Sequence, residues 1–347
     1  MKNKSLIRLL LAAVLLFGFS SAWAKNIKWS MAGDSLTLDP HAQNEGPTTQ
    51  VSRQVYEALV TRGLDMQIGP QLATDWKATS PTTWVFNLRK DVKFSDGTQM
   101  TSEDVVFSIL RAKLPTSDFK EYISSISAVK AIDDYTFQVE LTASLPYFAA
   151  MTTHATTFPT HKGVIEKHGS DWTKPGNMVS NGAYVLTEHV INERLVRERN
   201  PMYWNNDDTI LEKVVALVIT DENQGLTRYM AGELDKGPVP TGQFKKLKAE
   251  YPDQAVSFPR LCNYYYTFNL SDSGIEAFQD VRVRKAMAYA IDRNVITEDI
   301  LQAGQIPAYT FTPGATAGFD VPSVKFSKMS QDERDARAVE LLSLIHI

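Results

Sequence analysis

Cysteine is almost absent from this sequence, since Cys262 is the only one among 347 residues. A framework of disulfides within the chain is therefore excluded. In an oxidising compartment a lone cysteine indicates either a buried thiol or a partner missing from the chain. A strong charge of either sign is also lacking, because 36 Lys and Arg face 40 Asp and Glu, a formal net charge of −4. This balance gives no indication of nucleic-acid binding.

Long hydrophobic runs are missing after residue 24, where no segment approaches the roughly twenty apolar residues that span a bilayer. The first 24 residues combine a basic start, an apolar run over residues 9–19 and the small-x-small pattern Ala22-Trp23-Ala24. These are the features of an export signal. Because no cysteine lies near the cleavage pattern, a lipoprotein anchor is not predicted. We expect a soluble mature protein, most simply in a bacterial periplasm.

A serine-esterase motif stands at residues 33–36, Gly-Asp-Ser-Leu, but its catalytic partners are missing. Such an enzyme needs an Asp-x-x-His base pair and a Gly-x-Asn-Asp block for oxyanion donors. No histidine here has an aspartate three positions before it, and no Gly-x-Asn-Asp occurs. We therefore interpret Ser35 as a polar residue after a strand and predict no catalytic residue. A secreted esterase stays an outside alternative.

Three histidines spaced by seven residues, His154, His161 and His168, suggest a metal site at first sight. Pro159 and Gly163 interrupt any helix that would align them, and no carboxylate or thiol spacing supports a site. We interpret the three as surface residues and predict neither a metal nor a cofactor.

Hydrophobic periodicity predicts a mixture of strands and helices. Strands are expected over residues 27–31, 83–89, 129–141 (two, about Asp133 and Asp134), 183–199 (a hairpin), 214–219 and 256–270. Helices are expected over residues 51–60, 101–110, 226–231, 244–249, 283–301 (broken near residues 292–294) and from Ser330 onward. Because the two types do not alternate strictly, the fold class is α/β or α+β with large insertions.

Four blocks of sequence together resemble the extracytoplasmic solute-binding proteins of the peptide/nickel ABC-importer family, family 5. They are residues 38–41 with 56–59, the long block TWVFNLRKDVKFSDGTQMTSEDVVFS (residues 83–108), residues 179–206, and residues 261–270 with 278–296. The last two resemble the oligopeptide-binding and murein tripeptide-binding branch. The resemblance implies an α/β, two-lobed periplasmic binding protein (type II-like) with an extra domain. Lobe I would use residues 25–55 and 179–261, the extra domain residues 56–178, and the start of lobe II residues 262–342.

The resemblance implies binding without catalysis. An oligopeptide would lie in extended form between the lobes of a monomer, which would deliver it to the permease subunits of an ABC importer in the inner membrane. A murein tripeptide, haem or a nickel complex is the alternative ligand within the family.

The same resemblance implies the ligand-binding residues. The loop Asn44-Glu45-Gly46 matches peptide contacts of the first lobe, and Phe119 aligns with a ligand-contacting tyrosine. Asn181 and Gly182 flank the cleft in the family pattern, although a tight structural turn explains them equally well. On a strand Tyr265 faces away from Tyr264 and Tyr266. The residues alone favour core packing slightly, whereas the resemblance places Tyr264 and Tyr265 at the cleft.

Family members run well beyond this length, so the resemblance implies a C-terminally truncated chain whose residues 343–347 depart from the family pattern. Cys262 would be half of a disulfide whose partner lies past Ile347. An incomplete second lobe exposes unpaired strand edges, which predicts poor solubility and no cooperative ligand-induced shift in melting.

Overall fold

The computed structural model describes residues 25–43, 45–63, 67–258, 261–314, 316 and 318–343. The predicted export signal (residues 1–24), Asn44 and residues 344–347, which belong to the segment that departs from the family pattern, lie outside the described residues. No helix in the described ranges is long and apolar enough to cross a membrane. The chain divides into two compact units, Met1–Gly237 and Pro238–Ile347. The predicted domain boundaries stay a prediction.

The strands described in the first unit form three sheets. In chain order they are β1 (Asn26–Met31), β2 (Val60–Arg62), β3 (Ile68–Pro70), β4 (Ala73–Ser80), β5 (Thr83–Leu88), β6 (Ile126–Asp133), β7 (Thr136–Leu141), β8 (Tyr184–Val190), β9 (Arg194–Arg199) and β10 (Lys213–Val218). The sheets have the orders β1-β10-β9-β8, β2-β3 and β4-β5-β7-β6. The pair β1/β10 is parallel and every other pair of neighbours is antiparallel.

The described α-helices lie in both units. In chain order they are α1 (Gly46–Val55), α2 (Ser102–Ala112), α3 (Phe148–Met151), α4 (Lys162–His168), α5 (Glu222–Met230), α6 (Phe244–Glu250), α7 (Val281–Ala290) and α8 (Gln331–Ser343). A π-helix covers Val295–Leu301, and short 3₁₀ turns complete the connections. The expected break in the helix over residues 283–301 is confirmed, because α7 ends before the π-helix begins.

The core of the sheet β4-β5-β7-β6 forms because buried and less buried residues alternate strictly along its two central strands. Every second residue of β5 and of β7 is buried, as the period-two pattern of the sequence predicts. Phe86 and Phe137 lie opposite each other on adjacent strands and stack at 5.0 Å between ring centroids. Helix α2 joins this core through Val105 and Ile109.

The mixed sheet β1-β10-β9-β8 shares its core with α1. Pro47 stands in the first turn of α1, where a proline costs no hydrogen bond, and Val51 and Val55 are fully buried. The helix begins and ends earlier than the predicted 51–60, because Pro47 starts it and the backbone is extended from Tyr56 onward. The N–H of Gly182 donates to the carbonyl of Val55 at 2.9 Å and so satisfies a helix-terminal acceptor.

In the second unit, the strand predicted over residues 256–270 is wrong. The described residues of this segment form no regular secondary structure, and Tyr264 and Tyr266 are exposed. A strand needs a hydrogen-bonded neighbour, and no strand is present among the residues that the structure describes in this unit. The side chains of this segment therefore do not alternate between two faces of a strand. The predicted opposite orientation of Tyr265 relative to Tyr264 and Tyr266 has no strand to produce it.

Candidate ligand-binding site

The loop that enters α1 presents Glu45 and Gly46. Glu45 is the residue before the helix, and its Oε1 accepts the backbone N–H of Leu36 at 3.1 Å and the hydroxyl of Thr48. Its backbone carbonyl accepts the N–H of Thr49 at 3.1 Å. Gly46 is exposed, and a Cβ added there would meet no atom within 4 Å. Glu45 thus holds a fixed position while the helix start beside it stays open.

The Gly-Asp-Ser-Leu motif has a structural explanation. Ser35 is buried, and its hydroxyl has no hydrogen-bond partner among the residues described. The histidine in this region, His189, instead donates to the carboxylate of Asp34 at 2.9 Å. An activated serine needs a base within hydrogen-bond reach. Ser35 therefore lacks the arrangement of a serine nucleophile in this structure.

A buried ion pair anchors the same loop to α2. The guanidinium of Arg111 donates to both carboxylate oxygens of Asp39, at 2.8 and 2.5 Å, and to Nδ1 of His41 at 2.8 Å. Burial alone would raise the pKa of Asp39, but the hydrogen bonds and charge of Arg111 outweigh it and hold that pKa below its ordinary value. Burial lowers the pKa of His41 to about 4, so this histidine is neutral at pH 7 and accepts from Arg111.

Glu57 forms a second buried centre, just after α1. Its carboxylate accepts the hydroxyl of Tyr203 and the indole N–H of Trp204, the latter at 2.7 Å. The guanidinium of Arg89 lies over the Trp204 ring, 3.6 Å from its centroid. Burial raises the pKa of Glu57 in spite of these bonds. The residues predicted to resemble the family at positions 56–59 are thus tied to the Tyr203-Trp204 segment.

Asn181 and Gly182 lie at the end of α1 and are buried. Asn181 Oδ1 accepts the N–H of Glu57 at 3.0 Å, and a Cβ at Gly182 would come within 2.4 Å of the Val55 carbonyl carbon. These contacts give both residues a structural function at this turn, the reading that the sequence left open beside ligand contact. A direct contact with ligand stays a prediction.

Phe119 belongs to an aromatic group with His154 and Tyr122. Its ring meets His154 edge-on at 4.8 Å, and Tyr122 approaches the same imidazole at 4.4 Å. The N–H of the preceding Asp118 donates to the carbonyl of His41 at 3.2 Å. The segment of Phe119 is therefore connected through Asp118 to the loop that carries Glu45, and a ligand contact of Phe119 stays a prediction.

The predicted residues of the second unit lie on an exposed segment. Tyr265 contacts Phe311 edge-on at 4.9 Å, and Tyr264 contacts Tyr266 at 5.7 Å. The amide of Asn263 donates to the carbonyl of Phe311 at 2.7 Å. Cys262 is a free, exposed thiol. These contacts are internal to the unit, and the ligand contacts of Tyr264 and Tyr265 stay predictions.

Two of the three histidines spaced by seven act as local caps, and His168 makes no cap bond. His154 accepts the N–H of Thr156 at 3.3 Å, and His161 accepts the N–H of Val164 at 3.2 Å at the start of α4. Within the described ranges no three His, Cys, Asp or Glu residues are grouped so that they could hold a metal ion.

Sequence reasoning missed Asp34, His189, Arg111, Tyr203 and Trp204 as residues that shape the site. Asp34 and His189 are 155 residues apart, and Arg111 and Asp39 are 72 apart. No local pattern connects partners at such separations. Only Arg111, a charged residue that follows the apolar Ile109 and Leu110, gave a signal in the sequence.

Comparison with known proteins identifies the class to which this fold and loop belong, the bacterial extracellular solute-binding proteins. The family model described as "Bacterial extracellular solute-binding proteins, family 5 Middle" matches residues 67–343. The periplasmic oligopeptide-binding protein OppA of Escherichia coli K12 is 37% identical over 96% of this chain and 65% of its own length. The periplasmic murein peptide-binding protein MppA of the same organism is 39% identical over 88% of this chain and 60% of its own length.

Solved structures agree with this class. The structure of the E. coli murein tripeptide binding protein MppA has a TM-score of 0.87 at 37% identity, over 92% of this chain and 66% of that one. Haemophilus influenzae OppA in complex with the peptide RPPGFSPFR has a TM-score of 0.84 at 33% identity, with the same coverage. The chain belongs to family 5 of the bacterial extracellular solute-binding proteins, and its mixed α/β fold is confirmed. It spans 60–65% of the length of the two curated relatives above.

Proposed function

We propose that this protein is the solute-binding component of a peptide ABC importer and binds oligopeptides in extended form. The observation that carries the proposal is its likeness, over 96% of the chain, to a protein named as a periplasmic oligopeptide-binding protein. The proposal includes a periplasmic location, a monomer, permease subunits as partners and no enzymatic activity.

The loop geometry supports this function. One carboxylate oxygen of Glu45, Oε1, is occupied by Leu36 and Thr48, while Oε2 has no hydrogen-bond partner among the residues described. Oε2 can accept an N–H from a ligand backbone or an ammonium group. The open space at Gly46 leaves room for that backbone to approach. Main-chain hydrogen bonds of this kind are common to all peptides and give affinity without sequence preference.

Broad specificity would come from the side-chain pockets. In the proposal, Phe119 and Tyr265 supply apolar ring surface, and bridging water fills the space that a particular ligand side chain leaves. Because Phe119 lacks a hydroxyl, its side chain offers no hydrogen bond to a ligand.

A murein tripeptide is the second candidate ligand, because the chain is 39% identical to MppA and has a TM-score of 0.87 to its solved structure. Haem and nickel complexes stay alternatives from the family resemblance.

Two measurements test the proposal. Native mass spectrometry of the complete gene product purified from its cells should show a bound peptide, whose mass separates an oligopeptide from a murein tripeptide, haem or a nickel complex. Calorimetric titration with RPPGFSPFR and with a murein tripeptide should then give saturable binding. A protein that binds neither ligand and carries no peptide from the cell contradicts the proposal, as does labelling of Ser35 by a fluorophosphonate.

A matched pair of glycine variants tests the role of the helix start. Gly46→Leu should weaken peptide binding about tenfold, because the added side chain occupies the open space that a ligand backbone would use. Gly69→Leu is the control, since its Cβ would meet only Thr61, at an ordinary 3.9 Å. Equal affinities for the two variants would remove Gly46 from the site.

A further inference from the structure

We infer that Asp34 is a positioning residue for ligand binding, which acts through Leu36 on the carboxylate of Glu45. This inference rests on the proposed function. It assigns a task to the aspartate of the Gly-Asp-Ser-Leu motif, which neither the esterase hypothesis nor the proposed peptide contacts use.

The side chain of Asp34 is only 7% exposed and accepts hydrogen bonds from three residues. Oδ1 accepts the N–H of Ser35 at 2.8 Å, Oδ2 accepts the N–H of Asn192 at 2.8 Å, and His189 Nε2 lies 2.9 and 3.1 Å from the two oxygens. A carboxylate that accepts from several donors is held in one orientation.

The donors opposite Asp34 belong to a rigid part of the fold. His189 is on β8, which pairs with β9, and Asn192 is in the tight turn between these strands. Asn192 has a left-handed φ of 59°, a conformation that asparagine tolerates better than most residues, and this places its N–H in the turn. The hairpin is therefore a fixed platform, and Asp34 attaches the entering loop to it.

The attachment extends to Glu45 through two residues. Ser35, whose N–H binds Asp34, is followed by Leu36, whose N–H binds Oε1 of Glu45 at 3.1 Å. The side chain of Leu36 is 86% exposed, so packing of that side chain does not hold this segment in place. The backbone hydrogen bonds do, and those on the Asp34 side depend on its carboxylate. Loss of that carboxylate frees the N–H of Leu36 from its fixed position, so that of its two bonds to Oε1 the Glu45 carboxylate keeps only the one from Thr48 and is held less firmly.

The test is a double-mutant cycle in the complete gene product, with RPPGFSPFR as the probe and calorimetry as the readout. Asp34→Asn replaces one acceptor oxygen by a donor and should weaken binding about tenfold, as expected for the loss of a charged hydrogen-bond arrangement. Glu45→Gln should weaken it as well. Because Asp34 acts through Glu45, the double variant should bind no more weakly than Glu45→Gln alone.

Additive effects of the two substitutions would overturn the inference, since a purely structural defect lowers affinity whether or not Glu45 is present. An Asp34→Asn variant with unchanged affinity would overturn it too. Asp235→Asn is the matched control, because Asp235 also anchors a backbone N–H, that of Lys28 at 2.7 Å, without reaching the loop. Its affinity should equal that of the parent.

A milder variant covers the case in which Asp34→Asn does not fold. His189→Asn removes one donor and leaves the bonds of Asp34 to Ser35 and Asn192, so affinity should fall about threefold, again only when Glu45 is present. If the parent protein itself binds no peptide, the proposed function fails. If the parent binds and the cycle is additive, only the positioning inference fails.

Discussion

Gly182 is a position where backbone atoms leave no room for an added side chain, and Gly182→Ala therefore tests its close approach to α1 directly. A Cβ there would lie 2.4 Å from the carbonyl carbon of Val55, 2.7 Å from its oxygen and 2.7 Å from the nitrogen of Tyr56. These are backbone atoms at the end of α1 and cannot rotate away as a side chain does. Carbon atoms in favourable contact are about 3.5–4.0 Å apart, so the segments must separate by more than an ångström.

The cost follows from what that separation breaks. Overpacking of a filled interior costs about 1–3 kcal/mol. The hydrogen bond from the Gly182 N–H to Val55, 2.9 Å long, stretches with it. The neighbouring bond from the Glu57 N–H to Asn181 is also strained, and a buried donor left unpaired costs roughly a further 1–3 kcal/mol. We expect Gly182→Ala to lower the free energy of unfolding by about 3 kcal/mol.

The assay is urea denaturation followed by tryptophan fluorescence, with Gly46→Ala as the control. Both glycines lie at an end of α1, Gly46 as its first residue and Gly182 against its last carbonyl. A Cβ at Gly46 meets nothing within 4 Å, and alanine is more favourable than glycine in a helix. Gly46→Ala should therefore unfold within about 1 kcal/mol of the parent. If the two variants have the same midpoint, the close approach of Gly182 to α1 is refuted.

Three other predictions concern Arg197, His41 and Cys262. Arg197 is fully buried, its guanidinium has no hydrogen-bond partner among the described residues, and burial lowers its pKa to about 10. Its contact with the Trp29 ring, 5.9 Å from the centroid, does not replace those hydrogen bonds. Since burial disfavours the charged form, Arg197→Met should raise the urea midpoint at pH 7, and a lower midpoint would contradict a guanidinium that is buried without hydrogen bonds. Burial lowers the pKa of His41 from 6.5 to about 4. Between these two pH values the unfolded chain binds a proton at His41 and the folded chain does not. The free energy of unfolding should therefore fall as pH drops from about 6.5 to 4. His41→Gln should flatten this part of the pH profile, and an unchanged slope would exclude His41 as its source. The exposed thiol of Cys262 should react with a maleimide in the folded 347-residue chain, and a thiol that reacts only after denaturation would contradict its exposure.

The parts of the fold that sequence could predict are those with a local cause. The strands β5 and β7 bury every second residue, and that alternation is visible in the letters themselves. The end of α1 could not be predicted from its apolar spacing, because Gly182, far along the chain, binds its last carbonyl. The strand expected over residues 256–270 failed for a related reason. Its composition suits a strand, but a strand forms only where a neighbour offers hydrogen bonds.

The residues of the candidate site also differ in whether their cause is local or distant in the sequence. Glu45 and Gly46 were predicted through the resemblance of their loop, and among the described residues Glu45 Oε2 has no hydrogen-bond partner; their contact with ligand stays a prediction. The residues that hold this loop were not predicted, because Arg111 and Asp39 meet across 72 positions of sequence. Asn181 accepts the backbone N–H of Glu57, which supports the structural turn that the sequence left open beside a ligand contact. A resemblance transfers positions, whereas contacts decide what each position does.

The buried charges around α1 are better explained by positioning than by stability. Replacing a buried ion pair with apolar residues is often neutral or stabilising, so the pair of Asp39 and Arg111 is weak evidence of a stabilising role. What Asp34, Asp39 and Glu57 share is that they stand in the segments that precede and follow α1 in the sequence, each held by partners from distant segments. Apolar contacts tolerate small shifts, whereas a carboxylate with two or three donors fits one orientation. Under the proposed function, the loop would present the Glu45 carboxylate and the Gly46 backbone to many different ligands, and it would gain from such fixed orientation because no single ligand could be relied on to order it.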